Sequence, residues 1–129
     1  MASLITTCAA LSACTLTETS EVEQGAFMPE YGAISTKLLE DDLVSFDVEM
    51  TGARNNDDVL AFNDCVAAQY ALIRGAGFVR RVRNDVTQRR GVWMGTGIYT
   101  LSDSHPGGVV SIDAEVTAAE CRANNIPTV

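Results

Sequence analysis

Histidine occurs once in this 129-residue chain, proline three times, and aromatic side chains make up only 6% of it. Four cysteines are present without a Cys-x-x-Cys or a Cys/His cluster, which argues against a zinc site or a redox-active pair. No apolar run approaches the roughly 18 residues that a membrane-spanning helix needs, so attachment to a membrane has to come from a tether. Positive charge is also short: nine Lys and Arg stand against 17 Asp and Glu, a formal charge of -8. That balance argues against nucleic acid as a partner, because affinity for a phosphate backbone comes mostly from a net basic surface. The compositions of disordered, collagenous or disulfide-packed chains are missing as well. What is there is 47% hydrophobic residues, in a length that builds one domain with a small core.

The charge is unevenly spread. Residues 15–64 carry 12 acids against Lys37 and Arg54, a net -10, whereas residues 65–95 carry six arginines against Asp85, a net +5. Arg80, Arg81, Arg83, Arg89 and Arg90 form the densest cluster, and arginine forks suit phosphates and carboxylates. They are the candidate anion-binding residues. The competing reading has Arg81 and Arg83 facing Asp47 and Glu49 across neighbouring strands as surface pairs.

Met1 to Cys14 is small and apolar, with no charge before Glu18, the composition of a targeting segment. Residues 15–36 are rich in Thr, Ser, Glu and Gly, are broken by Pro29, and sustain neither a helical nor a strand period, so they read as a flexible tether. Leu11-Ser12-Ala13-Cys14 resembles the bacterial lipobox, in which the cysteine thiol takes a diacylglyceryl group and becomes the first residue of the mature protein. The resemblance implies a signal segment over 1–13, lipid on Cys14, and a tether over 14–36 leading to a single domain over 37–129. Thr15 stands where an inner-membrane retention signal would place Asp, so outer-membrane sorting is implied. Cys65 and Cys121 then remain as an even pair in an oxidising compartment, to be joined as a disulfide or left as two buried thiols.

Val44, Phe46, Val48 and Met50 alternate with Ser45, Asp47, Glu49 and Thr51, which predicts a half-buried strand. Asn55 or Asn56 is placed to cap a following helix, with Asp57 and Asp58 at its positive end. Val59, Phe62, Val66, Tyr70 and Ile73 recur at spacings of three and four, and Ala67, Ala68 and Ala71 allow close approach to a sheet. A stop is expected at Gly75 or Gly77. Further strands are expected over Phe78–Val86, with an edge or bulge at Arg80-Arg81, over Val92–Leu101, and over Val110–Val116. A loop through Asn84 to Gly91 should separate the first two of these. Thr117-Ala118-Ala119-Glu120 matches a capping box for a short last helix. The order implies an α+β two-layer fold, one long helix on a mostly antiparallel sheet of about four strands. If the first two strands are parallel neighbours, their connection is right-handed.

Across residues 11–101 the chain resembles small proteobacterial lipoproteins of undefined role, with an exported segment ending in Cys, a spacer, a strand, an Ala-rich helix ending in Gly-x-Gly-Phe, and a strand. The resemblance implies a place in the cell envelope, on the periplasmic face of the outer membrane, and carries no catalytic residue. No cofactor or metal is expected. Glu40-Asp41-Asp42 and Asp57-Asp58 are explained by a strand approach and a helix start, and no calcium-loop spacing follows them. Gly95-Thr96-Gly97 opens no helix, so it is not a nucleotide loop. Trp93 and Tyr99 share a strand face and read as core. The leading expectation is therefore a non-enzymatic, lipid-anchored binding or structural protein whose partner is an anionic envelope ligand or a protein. A cytosolic binding domain with free thiols is the alternative, and a small hydrolase using His105 with Asp103 or Asp113 ranks behind both.

Overall fold

The period-two pattern around Phe46 produces the central feature of the domain, a strand with one dry face and one wet one. A computed structural model describes residues 27–105 and 111–128. Its elements are β1 (Glu30–Glu40), β2 (Leu43–Thr51), α1 (Asn56–Ile73), β3 (Phe78–Arg89), β4 (Val92–Ser102), β5 (Ser111–Asp113) and α2 (Ala114–Ala123). The sheet has five strands in the order β1-β2-β4-β3-β5, every pair antiparallel. The architecture is α+β, with α1 laid across one face of the sheet and α2 packed chiefly against α1.

Val44, Phe46, Val48 and Met50 are all at most 1% exposed and meet Val59, Phe62, Val66 and Ala67 of α1. Burying side chains of this size stabilises the fold by about 1.5–3 kcal/mol each. Asn55 caps α1, its side-chain oxygen accepting from the amides of Asp57 and Asp58 at 3.0 and 3.3 Å. Past the helix, Gly75 takes φ +79°, a conformation that glycine adopts without a Cβ penalty. Ile73, the last residue of the helix, departs from the expected apolar stripe and is 62% exposed, while Ala71 beside it is fully buried.

Several expectations are corrected. Residues 30–36, read as the end of a tether, form most of β1, which pairs with β2 from Glu30 opposite Thr51 to Glu40 opposite Leu43. The domain therefore starts before residue 37, and the strands number five rather than about four. The strand expected over 78–86 runs on to Arg89, so Asn84 to Arg89 is ladder and not loop. Only Arg90 and Gly91, at φ +54° and +81°, make the turn into β4, the left-handed pair that a two-residue hairpin requires. The expected bulge is present, as a register shift between Arg81 and Arg83. Near the end, β5 stops at Asp113, whose side chain caps α2 by accepting from the amides of Glu115 and Val116. The Thr117 capping box thus lies inside the helix, and alternation through Val116 was the start of a helix face.

The first two strands predicted from the sequence are not neighbours. Each of β2 and β3 is antiparallel to β4, so they run parallel to one another with β4 between them. Residues 1–26 and 106–110, which include the expected signal segment, Cys8, Cys14, most of the expected tether and the Pro106-Gly107-Gly108 turn, lie outside the described residues.

Candidate functional site

The five arginines separate into two environments. Arg81 stands opposite Tyr99 on the helix-covered face of the sheet, and its guanidinium grips Asp64 of α1, Nε donating to Oδ1 at 3.2 Å and Nη2 to Oδ2. Tyr99, fully buried, donates its hydroxyl to the same Asp64 Oδ1 at 2.6 Å. Burial opposes the charge on Arg81, but the bonded Asp64 carboxylate outweighs it and holds the guanidinium above its ordinary pKa. For Tyr99 both effects act together, burial first and the Asp64 charge second, and its phenol is held far above the usual value. Arg81 is therefore a clamp between helix and sheet. The expected pairing of Arg81 and Arg83 with Asp47 and Glu49 does not form, because β4 separates β3 from β2. Asp47 instead accepts from Thr96 Oγ1 at 2.6 Å.

The bulge after Arg81 returns Arg83 to the opposite face, left uncovered by the described helices, where it stands across from Ile98. Arg80 and Arg89 occupy that same face opposite Thr100 and Val92, and Arg90 sits at the hairpin tip beside it. Arg83 makes an exposed pair with Asp85 at 3.2 Å, while Arg80, Arg89 and Arg90 make no ion pair among the described residues. Four guanidinium groups thus project from one strand and its turn into water. Their chemistry is that of a fork donor for carboxylate or phosphate oxygens. On the far side of the same face, β2 presents Asp47 and Glu49, and the β4 stripe between the two carries no charge.

Asp64 and Asn63 are the polar residues that sequence reading missed. Asn63 is 1% exposed on the apolar side of α1, and its Oδ1 has no hydrogen-bond partner among the described residues. It lies on Gly95 and Gly97: a Cβ at Gly97 would come within 2.6 Å of the Tyr99 ring and 3.0 Å of Asn63 Nδ2. The signal was available, since Asn63 follows Val59 by four and Phe62 by one, inside the apolar stripe. Trp93 and Tyr99 both pack against the core, as expected.

Cys65 and Cys121 are joined as a disulfide between α1 and α2, with their Cα atoms 5.9 Å apart. His105 packs edge-on to Phe78, with ring centroids 5.4 Å apart, and Asp113 is occupied in capping α2. A cleft of about 340 Å³ at the β1–β2 turn is lined by Asp41, Asp42, Asp103 and Arg74. Among the described residues no three His, Cys, Asp or Glu side chains converge in a way that would hold a metal ion. No described helix is long and apolar enough to cross a membrane.

The family model of the YNQ4 C-terminal domain matches residues 31–125, a span that opens one residue into β1 and closes just past α2. This chain belongs to that family. As a YNQ4 C-terminal domain it is 30% identical, over 93 residues, to an uncharacterised 26.9 kDa protein in the nqo8 5′ region of Paracoccus denitrificans. The match covers 72% of this chain and 36% of that protein, so the YNQ4 domain here corresponds to about a third of its relative's length. No solved structure matches the chain.

Proposed function

We propose that this YNQ4 domain is a non-enzymatic protein of the cell envelope, held at the periplasmic face of the outer membrane by lipid on Cys14. Its role is to bind or brace a partner through the arginine-bearing sheet face. The observation that supports the envelope reading is the Cys65–Cys121 disulfide, since such bonds persist in oxidising compartments and are rare in a reducing cytosol. The lipobox-like Leu11-Ser12-Ala13-Cys14 supplies the attachment. The partner chemistry follows from Arg80, Arg83, Arg89 and Arg90, which favour an anionic ligand such as a phosphate-bearing headgroup or a carboxylate-rich protein surface.

Intact mass of the protein recovered from its native membrane fraction, beside a Cys14→Ser variant, tests the reading. The expected species lacks residues 1–13 and carries acyl chains, and Cys14→Ser leaves the membrane fraction while keeping its disulfide. A full-length, unmodified protein whose Cys65 and Cys121 are both alkylated on denaturation without reductant would overturn it in favour of a cytosolic domain.

A further inference from the structure

We propose that the uncovered sheet face pairs with the same face of a second copy of this chain, the acidic strand β2 of each lying over the arginine strand β3 of the other. This rests on the reading of β3 as an anion-binding strand and names its anion.

The face is divided by charge. Asp47 and Glu49 project from β2 with Lys37 of β1 beside them, Arg80, Arg83 and Arg89 project from β3 with the single acid Asp85 among them, and β4 runs between with no charged residue from Val92 to Ser102, so the β2 strand is net acidic and the β3 strand net basic. Two identical faces can meet about a two-fold axis lying across the strands or along them. An axis across the strands sets β2 on β2 and β3 on β3, like charge on like. An axis along β4 exchanges the two sides and sets β2 over β3 twice, so the charge pattern selects it.

The strand register makes the pairing specific. Thr51, Val92 and Arg89 share one row across the sheet, as do Leu43, Thr100 and Arg80. Rotation about β4 therefore brings Arg89 of the second copy over Thr51, whose neighbours are Glu49 along the strand and Glu30 across it. Arg80 of the second copy arrives over Leu43 beside Glu40. Asp47 and Asp85 come face to face, yet each already has its own partner, Thr96 and Arg83. The axis itself runs through Met94, 45% exposed on the uncharged stripe, which meets its own copy. The four strands of nine to twelve residues, β1 to β4, give a face about 30 Å long and about 15–20 Å wide, which with the relief of its side chains approaches a standard interface of about 800 Å² per partner.

Sedimentation of the full chain carrying Cys8→Ser and Cys14→Ser, across a wide range of concentration, tests the proposal without dependence on lipid. The expected result is a reversible shift to the mass of two chains, abolished by Met94→Asp and untouched by Arg122→Gln, an exposed position on α2 away from the paired face. Glu49→Arg and Arg89→Glu should each weaken association on the order of tenfold, and the two together should restore it. A monomer at every concentration, a dimer indifferent to Met94→Asp, or a double variant no better than the singles would each overturn it. If the protein is monomeric but inorganic phosphate still perturbs the Arg80 and Arg89 side-chain resonances, the anion-binding reading survives and the dimer does not.

Discussion

At the scale of single residues, the Arg81–Asp64–Tyr99 group shows how one carboxylate fixes helix to sheet. Asp64 satisfies a guanidinium and a phenol at once, and neither donor is left in the interior without an acceptor. Tyr99 makes the consequence measurable. Its folded pKa is raised, so its contribution to stability is complete below the unfolded tyrosine value of about 10 and is lost as pH rises past it. Tyr99→Phe should cost about 1 kcal/mol in urea unfolding at neutral pH. The same substitution should flatten the loss of stability between roughly pH 10 and 12. An alkaline limb unchanged in Tyr99→Phe would show that another group sets it. Asp58 behaves in the opposite sense: bonds donated by the Arg54 side chain hold its carboxyl below the ordinary value, so its contribution is present above about pH 4 and fades as pH falls.

Among the elements, α2 depends most on a covalent link. It packs chiefly on α1, and the Cys65–Cys121 bond closes a loop of 56 residues between the two helices. On the chain-entropy account a loop of that size stabilises the folded state by about 4 kcal/mol. Reduction, or Cys65→Ala with Cys121→Ala, should therefore lower the unfolding free energy by an amount of that order, with α2 released before the sheet melts. Denaturation with and without reductant measures it, and equal curves would refute it. β2 and α1 were legible from the sequence, since water on one face and core on the other write the period into their residues without a break. β1 was not legible: it is an edge strand with only Tyr31 and Ile34 half-buried, and a register irregularity between them breaks the alternation. α2 was misplaced because Ile112, Ala114 and Val116 satisfy a strand period and a helix start equally well. The partner of Arg81 was hidden for a different reason, because strand order is a property of the assembled sheet and nothing local in the chain states that β4 lies between β2 and β3. The arginine cluster itself was visible, but only the bulge at Val82 decides which of its members face water.

For the molecule as a whole, protection should follow position in the sheet. β4 is bonded on both sides and lies under α1, β2 and β3 each have two neighbours, and β1 and the three-residue β5 form the edges. Amide exchange should accordingly be slowest in β4, from Gly95 to Tyr99, and fastest at β5 and the outer edge of β1. Exchange that is uniform across the five strands would contradict this order. The edges are short or interrupted, with Lys37 exposed on β1, features that discourage pairing with other chains.

The insertion of β4 between two strands made earlier also sets a timetable. A chain delivered N-terminus first, from a ribosome or through a translocation pore, presents β2 about forty residues before the strand that completes its inner edge. In that interval α1 can shield the apolar side chains of β2, but a helix offers nothing to its backbone. The centre of the sheet is thus the last large piece to arrive, and a pause in delivery before Val92 leaves a half-built ladder open at its middle rather than at its rim.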